Sequence, residues 1–478
     1  MLHCLKYFDS SFFGTCLNWS APCHTNTIKP INASLLGREE TIAMMARNGN
    51  AFEDLLVLDL TRYMPGGFAT QILADWGATV IKVEDTKRGD FCRYDPPTKH
   101  GISYYSTALC RNKKSISLDL KNKEANDCFQ ELSKKADIII ESFRPGVTKR
   151  LGIDYESIRQ KNPDVIYASI SAFGQEDPRS QKAWHDFAMI ASTGYLDLQN
   201  DNAFPLPLCD YATGMVAGQA LLASLFNRDK TGEGSYIDIA MFNCFLWWQS
   251  LIDSRWLFNG KIHKRNDLEY PSVGYNIYET SDGAALMFAM IEEKFWVPFT
   301  QETGLEELRD DCRKREWQAP DSFEKMRAFV KSKSLAEWEN WLSDKEYSIT
   351  KILTKDEAIP AIVNNKPEML NYVTFPNVGR VLQTNIPHNI SNLQTHIESF
   401  NEAALLGENT EEVLMSLGID RSAIEKWRKR KLYSWELPSI TTIKTITPPP
   451  PDQFLRTSIS QLTRKGINHE WASECQGD

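Results

Sequence analysis

The sequence predicts an α/β protein: a large domain built on a doubly wound, mainly parallel sheet, and a smaller α+β domain. Two observations carry this. Short apolar runs recur along the first half of the chain, each next to a stretch with helical spacing, and alternating strand and helix implies parallel strands joined by crossover helices. After about Trp256 the texture changes to a hairpin-like pair followed by amphipathic helices.

Taken in order, LLVLDLT (55–61) reads as a strand ended by the PGG step, and FATQILADWG reads as a helix stopped by Gly77. ATVIKVE follows as the next strand, and DIIIESF and VIYASISAF repeat the signal after helical stretches. A long small-residue helix is expected just after Asp210, ended by the glycines of RDKTGEG. Further on, VGYNIYETSDGAALMFAM reads as two strands turning at Ser281, Asp282 and Gly283. The expected organisation is an extension over 1–50, a large domain over 51–256, a small domain over 257–373, a return to the large domain over 374–436, and a polar, Pro-rich tail over 437–478. Both ends are expected to be poorly ordered. Residues 1–50 fit neither a secretory nor a transit peptide, and Pro448 to Pro451 open a polar end without a peroxisomal signal.

At 478 residues and 42% apolar, the chain can bury one large core or two moderate ones. No apolar run reaches the roughly 18 residues that a membrane-spanning helix needs, so no integral membrane segment is expected. The ten cysteines show neither a CxxC pair nor zinc spacing, which points to reduced thiols in a soluble intracellular protein. The compartment among cytoplasm, mitochondrion and peroxisome stays open. No metal and no tightly bound cofactor are expected. A net charge of −9 argues against nucleic-acid binding. Residues 82–123 nevertheless carry ten Lys and Arg against five Asp and Glu, enough for a phosphate-bearing ligand or for a mixed-charge surface.

The chemistry concentrates at WHD, which is Trp184, His185 and Asp186, and at PLCDYATG, which contains Asp210. A histidine and a carboxylate on neighbouring elements suit proton transfer to and from carbon. Each has a plainer reading. Asp210 would make a good N-cap for the helix it precedes, His185 a polar loop residue, and Asp186 a residue that caps or orients. Cys209 beside Asp210 is read as an ordinary buried thiol.

Five segments in order carry a resemblance: PGGFATQILADWGATVIKVE, CRNKKSISLDLK, ESFRPGVTKRLG with NPDVIYASISAFGQ, CDYATGMVAGQALLASLFNRDKTGEG, and LGENTEEVLMSLGI. From about Phe52 to about Leu432 the chain resembles the family III CoA-transferases, the carnitine-dehydratase-like group that includes the 2-methylacyl-CoA racemases. The resemblance implies an interlocked homodimer with CoA, as part of the substrate, on the large domain and an active site shared with the second copy's small domain. It implies that Leu118, Lys121, Phe143 and Arg150 hold the adenine and phosphates, with Arg144 a further phosphate-facing candidate. It implies that His185 and Asp210 match the two bases of the racemases, with Glu292 of IEEKFW near the histidine. Asp210 equally matches the transferase nucleophile, which passes through a mixed anhydride and an aspartyl-CoA thioester. Donors for the substrate oxygen are sought among the N–H groups that open the helix after Cys209.

The chain departs from the family pattern in three places. Asp85 stands where an arginine usually meets the nucleotide, with Lys87 and Arg88 close behind. Trp184 replaces a glycine, and the interval from His185 to Asp210 is 25 residues, shortened in QNDNAFPLP. The glycine-rich loop of the formyl-CoA transferases is missing between Asn259 and Val273. Three functions stay open on the sequence: a racemase or epimerase of 2-methyl-branched acyl-CoA thioesters acting through an enolate, a CoA-transferase to a free carboxylic acid, and a catalytically silent CoA-binding member.

Overall fold

The computed structural model describes residues 51–198, 206–261, 271–387, 390, 399–430, 432 and 433. The extension, the Pro-rich tail, most of the shortened loop and most of the interval between Asn259 and Val273 lie outside these residues. Six strands form one parallel sheet: β1 (Leu56–Leu60), β2 (Thr79–Glu84), β3 (Lys114–Ser117), β4 (Ile138–Glu141), β5 (Ile166–Ser171) and β6 (Ser235–Ala240). Their spatial order is β3-β2-β1-β4-β5-β6. The chain therefore winds outward twice from β1, first toward β3 and then toward β6. This is the doubly wound arrangement, whose ligand crevice opens beyond the carboxyl ends of β1 and β4.

Helix α1 (Met64–Asp75) follows β1, α2 (Tyr104–Leu109) precedes β3, and α3 (Lys123–Ser133) joins β3 to β4. Between β5 and β6 lie α4 (Asp186–Ser192) and α5 (Leu208–Thr231); α6 (Met241–Trp248) and α7 (Ser250–Asn259) follow β6. One apolar cluster, including Val57, Leu73, Ile138, Ile190 and Ala217, packs α1, α4 and α5 on one face of the sheet. A second, including Leu58, Ile81, Phe129 and Ile139, fills the other face. Gly232 ends α5 with φ +73°, as the RDKTGEG turn implies.

The basic stretch 82–123 is partly internal. Lys82, Lys113 and Arg111 are buried and paired with Asp59, Asp90 and Asp75, and Arg93 grips Glu84. Four of the ten cations thus build the core rather than a phosphate-facing surface. Their role is visible at Asp59, where burial alone would raise the carboxyl. Lys82 and Lys113, with the hydroxyls of Thr61 and Thr70, outweigh it and hold Asp59 at about 2. The same groups fix the β1–α1 turn: Lys82 Nζ donates to Thr61 O at 2.8 Å and Thr70 Oγ1 to Asp59 Oδ2 at 2.7 Å.

The hairpin read at Ser281 to Gly283 is β7 (Tyr275–Glu279) against β8 (Ala285–Ala289), antiparallel, with β9 (Ile349–Lys351) on the far edge of β8. A separate aromatic-rich cluster, including Trp296, Phe299, Phe323 and Trp338, covers it. A final hairpin, β10 (Leu370–Phe375) and β11 (Gly379–Thr384), reaches back to the large sheet's helices, where Arg111 Nη1 donates to Gln383 Oε1 at 2.8 Å.

Candidate active site

Asp210 does not precede α5. The helix begins at Leu208, its N-cap is Pro207, and Asp210 lies in the first turn with its carboxylate free of any capping bond. Asp186 does that work from another element: the Asp210 N–H donates to Asp186 Oδ1 at 2.9 Å. The plain N-cap reading of Asp210 therefore fails, and its carboxylate is left for chemistry. This N–H, one of those that open α5, is occupied as well, so Asp210 contributes no amide to an oxyanion hole.

Asp186 also sets the charge state of Asp210. Burial, and then the neighbouring charge of Asp186, push Asp210 up to about 7. Asp186 is itself raised by burial, and its Oδ2 is buried with no hydrogen-bond partner among the described residues. Cys209 is fully buried, its thiol pushed well up by burial and donating to Met241 O, so it is no nucleophile.

The wall facing Asp210 comes from the β1–α1 turn. Gly214, one turn after Asp210, lets α5 approach that turn: a Cβ there would lie 2.8 Å from Pro65 O and 2.9 Å from the Phe68 ring. Phe68 meets Tyr211 edge-on at 5.2 Å, and Tyr63 meets Tyr105 at 6.1 Å. Tyr63 holds φ +58°, a costly backbone for a bulky residue, secured by its N–H to Asp90 Oδ1 at 3.0 Å. The Tyr105 hydroxyl is kept neutral by burial and by the negative charge of Asp210. Tyr105 and Tyr63 had no sequence signal beyond following a strand or opening a helix; only the tertiary fold brings Tyr105 to Asp210.

The other sequence candidates fall in two groups. His185 is exposed at the N-cap of α4, directly before Asp186, and among the described residues its side chain makes no hydrogen bond. Glu292 heads another helix in the body built on β7 to β9, and its carboxylate pairs with Lys294 at 2.5 Å, with no bond to His185 within the single chain. At the crevice, Leu118 is buried beyond β3, Lys121 is exposed, and Phe143 is part-buried beyond β4 with its N–H donating to Glu141 at 2.6 Å. Arg144 and Arg150 are exposed in the segment that follows. No group of three or more His, Cys, Asp or Glu able to hold a metal occurs among the described residues, and no described helix is long and apolar enough to cross a membrane.

A doubly wound sheet and a half-buried carboxyl in the first turn of a crossover helix suit an enzyme site. The pattern of CoA-transferase family III matches residues 52–410, and the chain belongs to that family. Its members include CoA-transferases and racemases, both enzymes that act on CoA thioesters. Mouse succinyl-CoA:glutarate CoA-transferase is 34% identical over 270 residues, 55% of this chain and 62% of its own length. The match therefore spans less than two thirds of that relative. Human alpha-methylacyl-CoA racemase is 28% identical over 402 residues, covering 80% of this chain and 97% of its own. A CAIB/BAIF family protein from Brucella suis has the same fold, with a TM-score of 0.66 at 24% identity over 77% of this chain and all of its own.

Proposed function

We propose that the chain is a racemase or epimerase of 2-methyl-branched acyl-CoA thioesters. The carrying observation is the state of Asp210: half-buried, next to another carboxyl, with no cation in its charge balance, and titrating at about 7. A carboxyl poised near neutrality takes a proton in one direction and gives it in the other. The thioester carbonyl acidifies C2; one of His185 and Asp210 removes that proton to leave an enolate, and the other returns a proton to the opposite face. Tyr105, kept neutral, offers an O–H donor near Asp210 for the substrate oxygen.

The surroundings support an apolar acyl group. Phe187 and Leu206, which neighbour the two bases in sequence, are exposed. The rival transfer reaction, with Asp210 as nucleophile, is favoured by the 34% identity to a transferase. The two separate on one assay. A single enantiomer of a 2-methylacyl-CoA should lose optical purity without any added carboxylic acid. New acyl-CoA formed only when an acid is present would refute the racemase.

The second copy belongs to this reading. α6 and α7 present the exposed apolar side chains Trp247, Leu251, Leu257 and Phe258, the last 93% exposed. In a homodimer with the domain limits at about 256 and 373, this surface is covered and Glu292 of one copy approaches His185 of the other. Light scattering at micromolar protein should give twice the mass of the chain, and a monomer would remove Glu292 from the site.

A further inference from the structure

At the point where the strand order reverses, the ends of three strands converge. Arg62 lies two residues beyond β1, and its N–H donates to Ser142 Oγ, just beyond β4, at 2.9 Å. Its guanidinium reaches across to the residue just beyond β2, where Nη2 pairs with Asp85 Oδ2 at 3.1 Å. The same guanidinium lies over the Phe91 ring, 5.1 Å from its centre. Asp85 is held from its other side: Oδ1 accepts the N–H groups of both Lys87 and Arg88 at 2.9 Å.

Two properties of this arrangement point to a ligand. Arginine has five N–H donors, and among the described residues Arg62's side chain hydrogen-bonds only to Asp85, with 39% of the side chain exposed. An exposed ion pair of this kind contributes little to stability, whereas a guanidinium fixed in orientation binds a phosphate through two parallel bonds. Lys87 and Arg88 lend Asp85 their backbone and leave their side chains exposed in solvent.

We propose that Arg62 receives the phosphates of the CoA nucleotide in this chain, and that Asp85 is a positioning residue that aims it. The acid at 85 orients this cation rather than repelling the ligand. This rests on the reading that the crevice takes a CoA thioester.

The test is calorimetric titration of the full chain with CoA and with pantetheine, which lacks the nucleotide. Arg62→Ala should weaken CoA binding by about 10- to 100-fold and leave pantetheine within about twofold of wild type. Arg62→Lys should recover only part of the loss, since a point charge cannot make the paired bonds. Asp85→Asn, whose one oxygen stays with the Lys87 and Arg88 N–H groups and leaves no acceptor for Arg62, should weaken CoA several-fold if Asp85 aims the guanidinium. The double variant Lys87→Ala with Arg88→Ala should change CoA affinity by less than about threefold. Unchanged CoA binding by Arg62→Ala, an equal loss with pantetheine, or transfer of the loss to the Lys87 and Arg88 double variant would overturn the assignment while the CoA reading stands. Failure of the wild type to bind CoA would overturn both.

Discussion

Asp210→Asn is expected to lower turnover by about 10³- to 10⁴-fold while leaving CoA affinity within about threefold, because it removes the proton carrier without emptying the nucleotide crevice. The same substitution should make the protein more stable above neutrality. Asp210 has a folded-state value of about 7 against 3.8 for an ordinary aspartate. Between those values the folded protein holds a proton that the unfolded chain has released, so wild-type stability falls as pH rises from about 4 to about 7 and stays reduced beyond. Asparagine has no such term. Thermal melts of the two proteins should coincide near pH 4 and separate by on the order of 1–3 kcal/mol at pH 8, with Asp210→Asn the more stable. In the direction that uses Asp210 as base, the wild-type rate should rise through about pH 7, and in the reverse direction it should fall. Coincident melts at pH 8 would mean that Asp210 is an ordinary solvated carboxylate.

Asp186→Ala is expected to cost about 10- to 100-fold in turnover, although Asp186 transfers no proton. It removes the acceptor of the Asp210 N–H, so the first turn of α5 loses the group that fixes where the catalytic carboxylate sits. It also removes the negative neighbour that helps to raise Asp210, so the pH profile should shift to lower pH. Stability should change little. A lost helix cap costs about 0.5–2 kcal/mol, but the buried, unpartnered Oδ2 of Asp186 disappears with it and offsets part of that. Asp186→Asn separates the two effects: the amide oxygen keeps the bond, so more of the rate should survive, while the pH shift remains. A profile that does not move in either variant would leave burial as the sole cause of Asp210's state.

Much of the fold could be read before any coordinates. β1, β2, β4 and β5 are near-continuous apolar runs because both faces of the sheet are covered, and the turn at Ser281 to Gly283 carries its own glycine at φ +81°. β3 and β6 escaped because KSIS is short and polar and SYIDIA lies at the sheet edge, where Tyr236 is exposed. The basic stretch misled for a related reason. Composition cannot tell a solvated lysine from Lys82, buried between Asp59 and Asp90, since the partners lie on other strands and loops. At the candidate site, Asp210 stood out in the sequence as a candidate, but the start of α5 did not, because the bond to its first turn comes from Asp186, 24 residues earlier. Arg62 and Tyr105 could be proposed for the site only once the fold placed Arg62 at the switch point and Tyr105 near Asp210.

One measurement tests the two-base mechanism directly: incubation of the full chain with a single enantiomer of a 2-methylacyl-CoA in deuterated water, read by mass spectrometry, with wild type, Asp210→Asn and His185→Gln side by side. The expected result is one deuteron gained at C2 with inversion by the wild type, loss of inversion in both variants, and no label elsewhere in the acyl chain. An unlabelled acyl-CoA, together with an Asp210 peptide that carries CoA as a thioester when a free acid is supplied, would contradict it and make Asp210 a nucleophile.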